Sequence, residues 1–266
     1  MSRPAPTTGP LPDPWDDLRA HTAARLALGR AGTAIPTREL LDFGLAHAQA
    51  RDAVHLPLDA DALAAQLAGL GCTTLRVASA APDRPTYLLR PDLGRRLDAA
   101  DARRLGDAPQ ADCDLLLVVA DGLSALAVER NALPLVQAIV QDAPQGWRIG
   151  PVAIATQARV ALGDEVGALL GARLVAVLIG ERPGLSSPDS LGIYLTWHPQ
   201  VGRSDAERNC ISNVRPEGLA PAAAAARLWW LCVEARRLGL TGIGLKDRSD
   251  AVTLQAEPSG SHLTGG

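Results

Sequence analysis

The segment Ile179-Gly180-Glu181-Arg182-Pro183-Gly184-Leu185-Ser186-Ser187 gathers an acid, a base, a proline and glycines directly behind an apolar run, Ala172-Arg173-Leu174-Val175-Ala176-Val177-Leu178. The run reads as a buried strand, so the polar cluster stands at a strand end. In open α/β sheets, ligands sit just outside the carboxyl ends of strands. Glycine permits close backbone approach there, and proline stiffens the turn. A second dense polar segment follows, Asp205-Ala206-Glu207-Arg208-Asn209-Cys210-Ile211-Ser212-Asn213. These two segments are the best site candidate in the chain. Glu181 has two readings: a salt bridge to Arg182 or Arg159, or an acceptor for amide and hydroxyl donors on a neutral, amide-rich ligand. Cys210 taken alone reads as a small buried hydrophobe. Asp121-Gly122, behind another apolar run, is either a ligand loop or a tight turn between strand and helix.

Other chemistries lack their signatures. Gly242-Ile243-Gly244 has no third glycine and comes after a long helix, so it is a poor dinucleotide fingerprint. There is no Walker A sequence and no G-x-S-x-G elbow. The histidines, His21, His47, His55, His198 and His262, are scattered and read as surface or satisfied residues. The four cysteines, Cys72, Cys113, Cys210 and Cys232, form no C-x-x-C pair and none stands at zinc-ligand spacing from a histidine. No metal site and no catalytic residue are assigned. A net charge of −3 argues against a nucleic-acid partner. With no secretory leader and no long apolar span, the expected setting is reducing and intracellular.

The elements that must position these residues follow from the apolar pattern. Hydrophobic residues make up 47% of the chain and aromatics 3%, so the core must be built from Leu, Val and Ala. Residues 1–14 hold five prolines and read as disordered. Helices are expected over Trp15–Gly29, after Pro36-Thr37, and over Asp61–Leu70 with Gly71 as its C′ residue. Short strands are expected at Thr73–Val77 and Thr86–Leu89. Asp114–Ala120 is apolar throughout after its first residue, as a strand buried on both faces should be. A helix to about Gln141, a strand at Pro151–Ala155, a helix at Gly163–Leu170 and the strand at 172–178 complete an alternating order. That order implies a parallel sheet. Leu191–Trp197 is a candidate extra strand, and 218–238 is an Ala/Leu helix. The expected fold class is α/β: an N-terminal helical arm (15–72), then a Rossmann-like, mostly parallel sheet flanked by helices (73–247), with a flexible tail (248–266).

At these residues the sequence becomes recognisable. Gly180-Glu181-Arg182-Pro183-Gly184-Leu185, then Ser190-Leu191, then Cys210-Ile211-Ser212-Asn213, resemble the small (light) subunit of ethanolamine ammonia-lyase. Further matching blocks are Gly29–Gly32, Arg90–Leu97, Asp121–Ser124, Arg159-Val160 with Asp164-Glu165, and Gly244–Asp247, in order from about residue 18 to 247. The resemblance implies an adenosylcobalamin-dependent lyase that converts ethanolamine to acetaldehyde and ammonia by a radical route. It implies a large-subunit partner with a TIM barrel that carries the catalytic side chains, a hexamer of heterodimers, and a corrin held between the two chains. The family's small-subunit cobalamin contacts match Val160, Glu181 and Cys210, with Arg182 and Asn213 as neighbours. The D-x-H-x-x-G motif, whose histidine displaces the nucleotide base of a cobalamin, is absent, which agrees with base-on binding. A bacterial microcompartment is implied by the family, with free cytoplasm as the alternative because the proline-rich start shows no targeting helix. Two other functions stand beside this one: a stand-alone α/β enzyme with a nucleotide or sugar-phosphate ligand, and a non-catalytic scaffolding subunit.

Overall fold

Strands with no polar side chain have to lie in the middle of a sheet covered on both faces, and the architecture follows from that demand. The computed structural model describes residues 15–249 apart from 20 and 23. The proline-rich start and most of the expected tail lie outside the described residues. The first elements are α1 (Asp16–Arg19), α2 (Thr37–His55) and α3 (Ala60–Gly69). The sheet region then runs β1 (Thr74–Ala78), α4 (Arg84–Leu89), α5 (Ala99–Gly106), β2 (Leu115–Ala120), α6 (Ala125–Gln141) and β3 (Ile149–Thr156). It continues with α7 (Leu162–Leu169), β4 (Leu174–Gly180), β5 (Leu191–Trp197), β6 (Arg208–Val214) and α8 (Pro221–Leu238). The six strands form one sheet in the order β1-β3-β2-β4-β5-β6. The first four are parallel, and β5 and β6 add antiparallel pairings at one edge.

The pleat sends alternate side chains of each central strand into two separate cores. Leu115, Leu117 and Val119 of β2 join Leu174, Ala176 and Leu178 of β4 under α6 and α8. Leu116, Val118 and Ala120 join Val175, Val177 and Ile179 on the opposite face, under Leu105 of α5 and Leu162 and Val166 of α7. Each buried Leu or Val side chain contributes about 1.5–3 kcal/mol, so two-sided burial fixes these strands more firmly than any local propensity. One ionic contact ties the antiparallel edge to the helical layer. The Arg208 guanidinium on β6 donates to both Asp164 oxygens on α7, at 2.7 Å each, and to Thr196 Oγ1 on β5 at 3.0 Å.

Four expectations are corrected. Thr86–Leu89 is not a strand but part of the short helix α4. Asp83 caps that helix by accepting from the Thr86 N–H at 2.8 Å, and Pro85 sits in its first turn, where a missing N–H costs nothing. Among the described residues, the helix expected from Trp15 to Gly29 is the one turn Asp16–Arg19. Arg208–Val214, read as a polar segment, is the edge strand β6. Cys210 is exposed rather than buried, because it stands on that edge strand. The remaining strands and the helices α2, α3, α6, α7 and α8 stand where the apolar pattern placed them. Gly71, with φ +79°, takes the left-handed conformation that ends α3.

Candidate functional site

The chain leaves β2 toward α6 on one face of the sheet and leaves β3 toward α7 on the other. The loops behind these neighbouring strands therefore part, and a crevice opens at the carboxyl ends. A cleft of about 440 Å³ lies there, lined by Gly122 and Leu123 behind β2, Arg159 and Val160 behind β3, Ile179–Arg182 at the end of β4, and Tyr87 and Tyr194. No histidine among the described residues lines it.

Two loops cross closely to make its floor. A Cβ on Gly122 would stand 2.3 Å from the Gly180 carbonyl oxygen, and one on Gly180 would stand 2.0 Å from the Ser124 carbonyl oxygen. Gly122 also has φ +57°. The turn thus needs glycine for both space and conformation, so Asp121-Gly122 is a tight turn that also faces the cleft. Asp121 fastens the floor by accepting from the Gln157 N–H at 2.9 Å and the Ala158 N–H at 3.0 Å. Burial pushes its carboxyl upward, against these N–H donors and the nearby Arg84. The loop behind β4 is pinned onto α6. Ser124 Oγ donates to the Pro188 carbonyl at 2.8 Å, and Asn131 Nδ2 to the Asp189 carbonyl at 2.8 Å.

Glu181 does not pair with Arg182 or Arg159. Its Oε2 accepts from the Ser190 hydroxyl and from the Asn213 N–H, the latter at 3.3 Å. One carboxylate therefore joins the end of β4 to β6. Val160 is half-buried, seated against the core under α7 with its flank on the cleft. Cys210 lies one strand over from the cleft wall, paired in register with Tyr194 of β5. Burial, with Cys210 and Glu181 nearby, pushes the Tyr194 phenol up. Val160 and Glu181 thus share the cleft, Arg182 lines it too, and Cys210 and Asn213 border it on β6.

Two further residues, Tyr87 and Arg84, were not singled out in the sequence. Tyr87 is fully buried, and its hydroxyl donates to the Ala158 carbonyl at 3.0 Å. The guanidinium carbons of Arg84 and Arg159 stand 4.8 and 4.3 Å from its ring centroid. Arg84 Nη1 donates to the Gly122 carbonyl at 2.9 Å and meets Asp121 Oδ2 at 3.3 Å. The Asp83 cap and Pro85 were the available signal for the helix that carries Arg84 and Tyr87. Nothing local announces that this helix reaches the ends of β2 and β3.

The cleft offers a carboxylate acceptor, guanidinium donors, and the apolar flanks of Val160, Leu123, Ile179 and Tyr194. Buried Arg84 Nη2 and Arg159 Nε have no hydrogen-bond partner among the described residues. Such a surface suits a ligand that offers both hydrogen-bond donors and acceptor oxygens. Among the described residues no three His, Cys, Asp or Glu side chains are placed to hold a bare metal ion. No helix among them is long and apolar enough to cross a membrane.

The comparisons with known proteins agree on one family. The family model described as "Ethanolamine ammonia-lyase light chain (EutC)" matches residues 12–246. The ethanolamine ammonia-lyase small subunit of Ralstonia nicotianae is 58% identical over 248 residues, covering 92% of each chain. That of Pseudomonas fluorescens is 56% identical, covering 93% of this chain and 91% of the relative. That of Azotobacter vinelandii is 54% identical, covering 98% and 97%. On this likeness across nearly its whole length, the chain belongs to the ethanolamine ammonia-lyase small-subunit family.

Proposed function

We propose that the chain is the small subunit of an adenosylcobalamin-dependent ethanolamine ammonia-lyase and that its cleft forms one wall of the cobalamin site. The observation that carries this reading is the meeting of Val160 and Glu181 on one cleft at the carboxyl ends of the sheet. Cys210 lies beside it through its register with Tyr194. Val160 presents methyl groups to the macrocycle. Glu181 is held in place by Ser190 and Asn213 and keeps its other oxygen, Oε1, to accept from a propionamide N–H. Cys210 and Tyr194 extend the same wall. The chemistry that adenosylcobalamin supplies when bound is a carbon radical that takes hydrogen from ethanolamine. This chain binds, orients and shields; the residues that touch ethanolamine belong to the large subunit.

The finer features of the reading follow the family. The partner is a TIM-barrel large subunit, the assembly is a hexamer of heterodimers, and the cobalamin is bound base-on, retaining its own dimethylbenzimidazole. Residues 73–247 form the cobalamin-binding domain and 15–72 an arm. Leu40, Leu41 and Leu45 on α2 are 59–66% exposed, which supports an arm that meets a partner. The site of action is a bacterial microcompartment or the free cytoplasm.

Glu181→Ala tests the cofactor assignment. Titrating the purified two-subunit complex with cyanocobalamin should show weaker binding by about tenfold with assembly intact, as for loss of one charged acceptor. Unchanged affinity removes Glu181 from the cobalamin site.

A further inference from the structure

The two buried guanidinium N–H groups without partners are the least explained feature of the cleft. Native proteins leave few buried polar groups unsatisfied, and each one calls for a reason. Arg84 has 10% of its side chain exposed, yet its Nη2 has no acceptor among the described residues. Its other nitrogens are engaged: Nε donates to the Val54 carbonyl at 2.7 Å, and Nη1 to Gly122 and Asp121. Arg159 lines the cleft, has a buried Nε without a partner, and forms no ion pair among the described residues. Both cations stack on the one Tyr87 ring. Like charges gathered this way repel unless an anion stands between or beside them.

Neither nearby carboxylate pairs with Arg159 among the described residues. Asp121 accepts from the backbone of Gln157 and Ala158 and pairs with Arg84, and Glu181 Oε2 accepts from Ser190 and Asn213. Arg159 and Arg182 therefore line the cleft without a carboxylate partner among the described residues, next to Arg84 and its Asp121. Gly122 and Leu123, at the entry to the 17-residue helix α6, line the same space, and that helix start adds positive potential. A planar guanidinium with free N–H groups matches the oxygens of a phosphate ester.

We propose that Arg159, held by stacking on Tyr87 and backed by Arg84, forms an oxyanion subsite on the cleft floor that takes a phosphate ester. The proposal rests on the cobalamin reading, since the phosphodiester of the nucleotide tail is the anionic group at that ligand's periphery. A separate phosphate-bearing ligand would offer the same chemistry. Arg159 touches the ligand; Arg84 is a positioning residue.

The test is binding to the two-subunit complex, read by absorbance and independent of turnover. The probes are cyanocobalamin, cobinamide (which lacks the nucleotide tail and its phosphate) and inorganic phosphate. Arg159→Gln should weaken cyanocobalamin about tenfold or more and leave cobinamide unchanged. Arg159→Lys, which keeps the charge, should recover part of that loss. Inorganic phosphate should compete with cyanocobalamin in the parent complex and lose that effect in Arg159→Gln. Should phosphate sensitivity vanish in Arg159→Gln while both corrinoids bind as before, the oxyanion subsite stands and its ligand is a separate phosphate ester. Equal weakening of cyanocobalamin and cobinamide, or no change with any probe, overturns the proposal. Glu181→Ala and Val160→Asp separate the two readings. If neither alters cyanocobalamin affinity, the cobalamin reading itself has failed; if they do and Arg159→Gln does not, only the subsite has.

Discussion

Replacing Arg208 by methionine removes the cation that contacts Asp164 in the interior. The two side chains are 2% and 1% exposed, and the guanidinium makes a two-pronged contact at 2.7 Å per prong. Arg208→Met keeps the bulk and leaves the Asp164 carboxylate buried without its partner. Breaking such a pair from one side costs about 3–5 kcal/mol, against a total stability of about 5–15 kcal/mol for a domain. With a urea slope of about 2–3 kcal/mol per molar, the midpoint should fall by roughly 1–2.5 M. Burial already pushes the Asp164 carboxyl upward. Without Arg208 the carboxyl is pushed up further and takes a proton at higher pH than in the parent, so the deficit should shrink as pH falls. The double variant Asp164→Leu/Arg208→Met should recover most of the loss, because hydrophobic replacement of a whole buried pair is often neutral. Urea unfolding followed by tryptophan fluorescence measures all three. A loss below about 1 kcal/mol for Arg208→Met, or a double variant less stable than the single, would refute the view that this pair locks β6 to α7.

Three other outcomes are expected. Gly180→Ala drives a Cβ to 2.0 Å from the Ser124 carbonyl, which should cost about 1–3 kcal/mol or more and weaken cyanocobalamin binding by displacing Glu181; unchanged melting and binding would contradict the close crossing. Glu207 is held down to about 2, first by the Ser204 N–H and then by Arg203. Its contribution is therefore full above the ordinary carboxylate pKa and lost as pH falls from about 4.5 toward 2, so the stability gap to Glu207→Gln should close over that window. Cys210 is exposed, whereas burial holds the thiols of Cys113 and Cys232 protonated and raises that of half-buried Cys72. One thiol should react quickly with a disulfide reagent, and adding cyanocobalamin to the two-subunit complex should slow it; several equally fast thiols would contradict this burial pattern.

The central strands were legible because their chemistry leaves one solution. Leu115–Ala120 and Leu174–Gly180 hold no charged side chain and are buried along their whole length. Thr86–Leu89 was misread because four residues show no period; the cap at Asp83 decided the matter. β6 was hidden for a different reason. As an edge strand it exposes Cys210, Ser212 and Asn213 to solvent, and its pairing with β5 carries an irregular register. Its polar composition therefore resembled a loop. Glu181 was singled out because it directly follows a strand and belongs to a recognisable block; Val160, four residues beyond the end of β3, came through its block alone. Arg84 and Tyr87 were not, because only the placement of β1 beside β3 brings α4 to the far ends of β2 and β3. Long-range topology of that kind leaves no local mark.

The central claim is that this chain completes a cobalamin-dependent lyase. Its most direct test is co-expression with the large-subunit candidate from the same organism, followed by an assay with ethanolamine and adenosylcobalamin. Acetaldehyde release that requires both chains and the cofactor is the predicted result. Failure of the two chains to co-purify, with no acetaldehyde formed, would contradict the account.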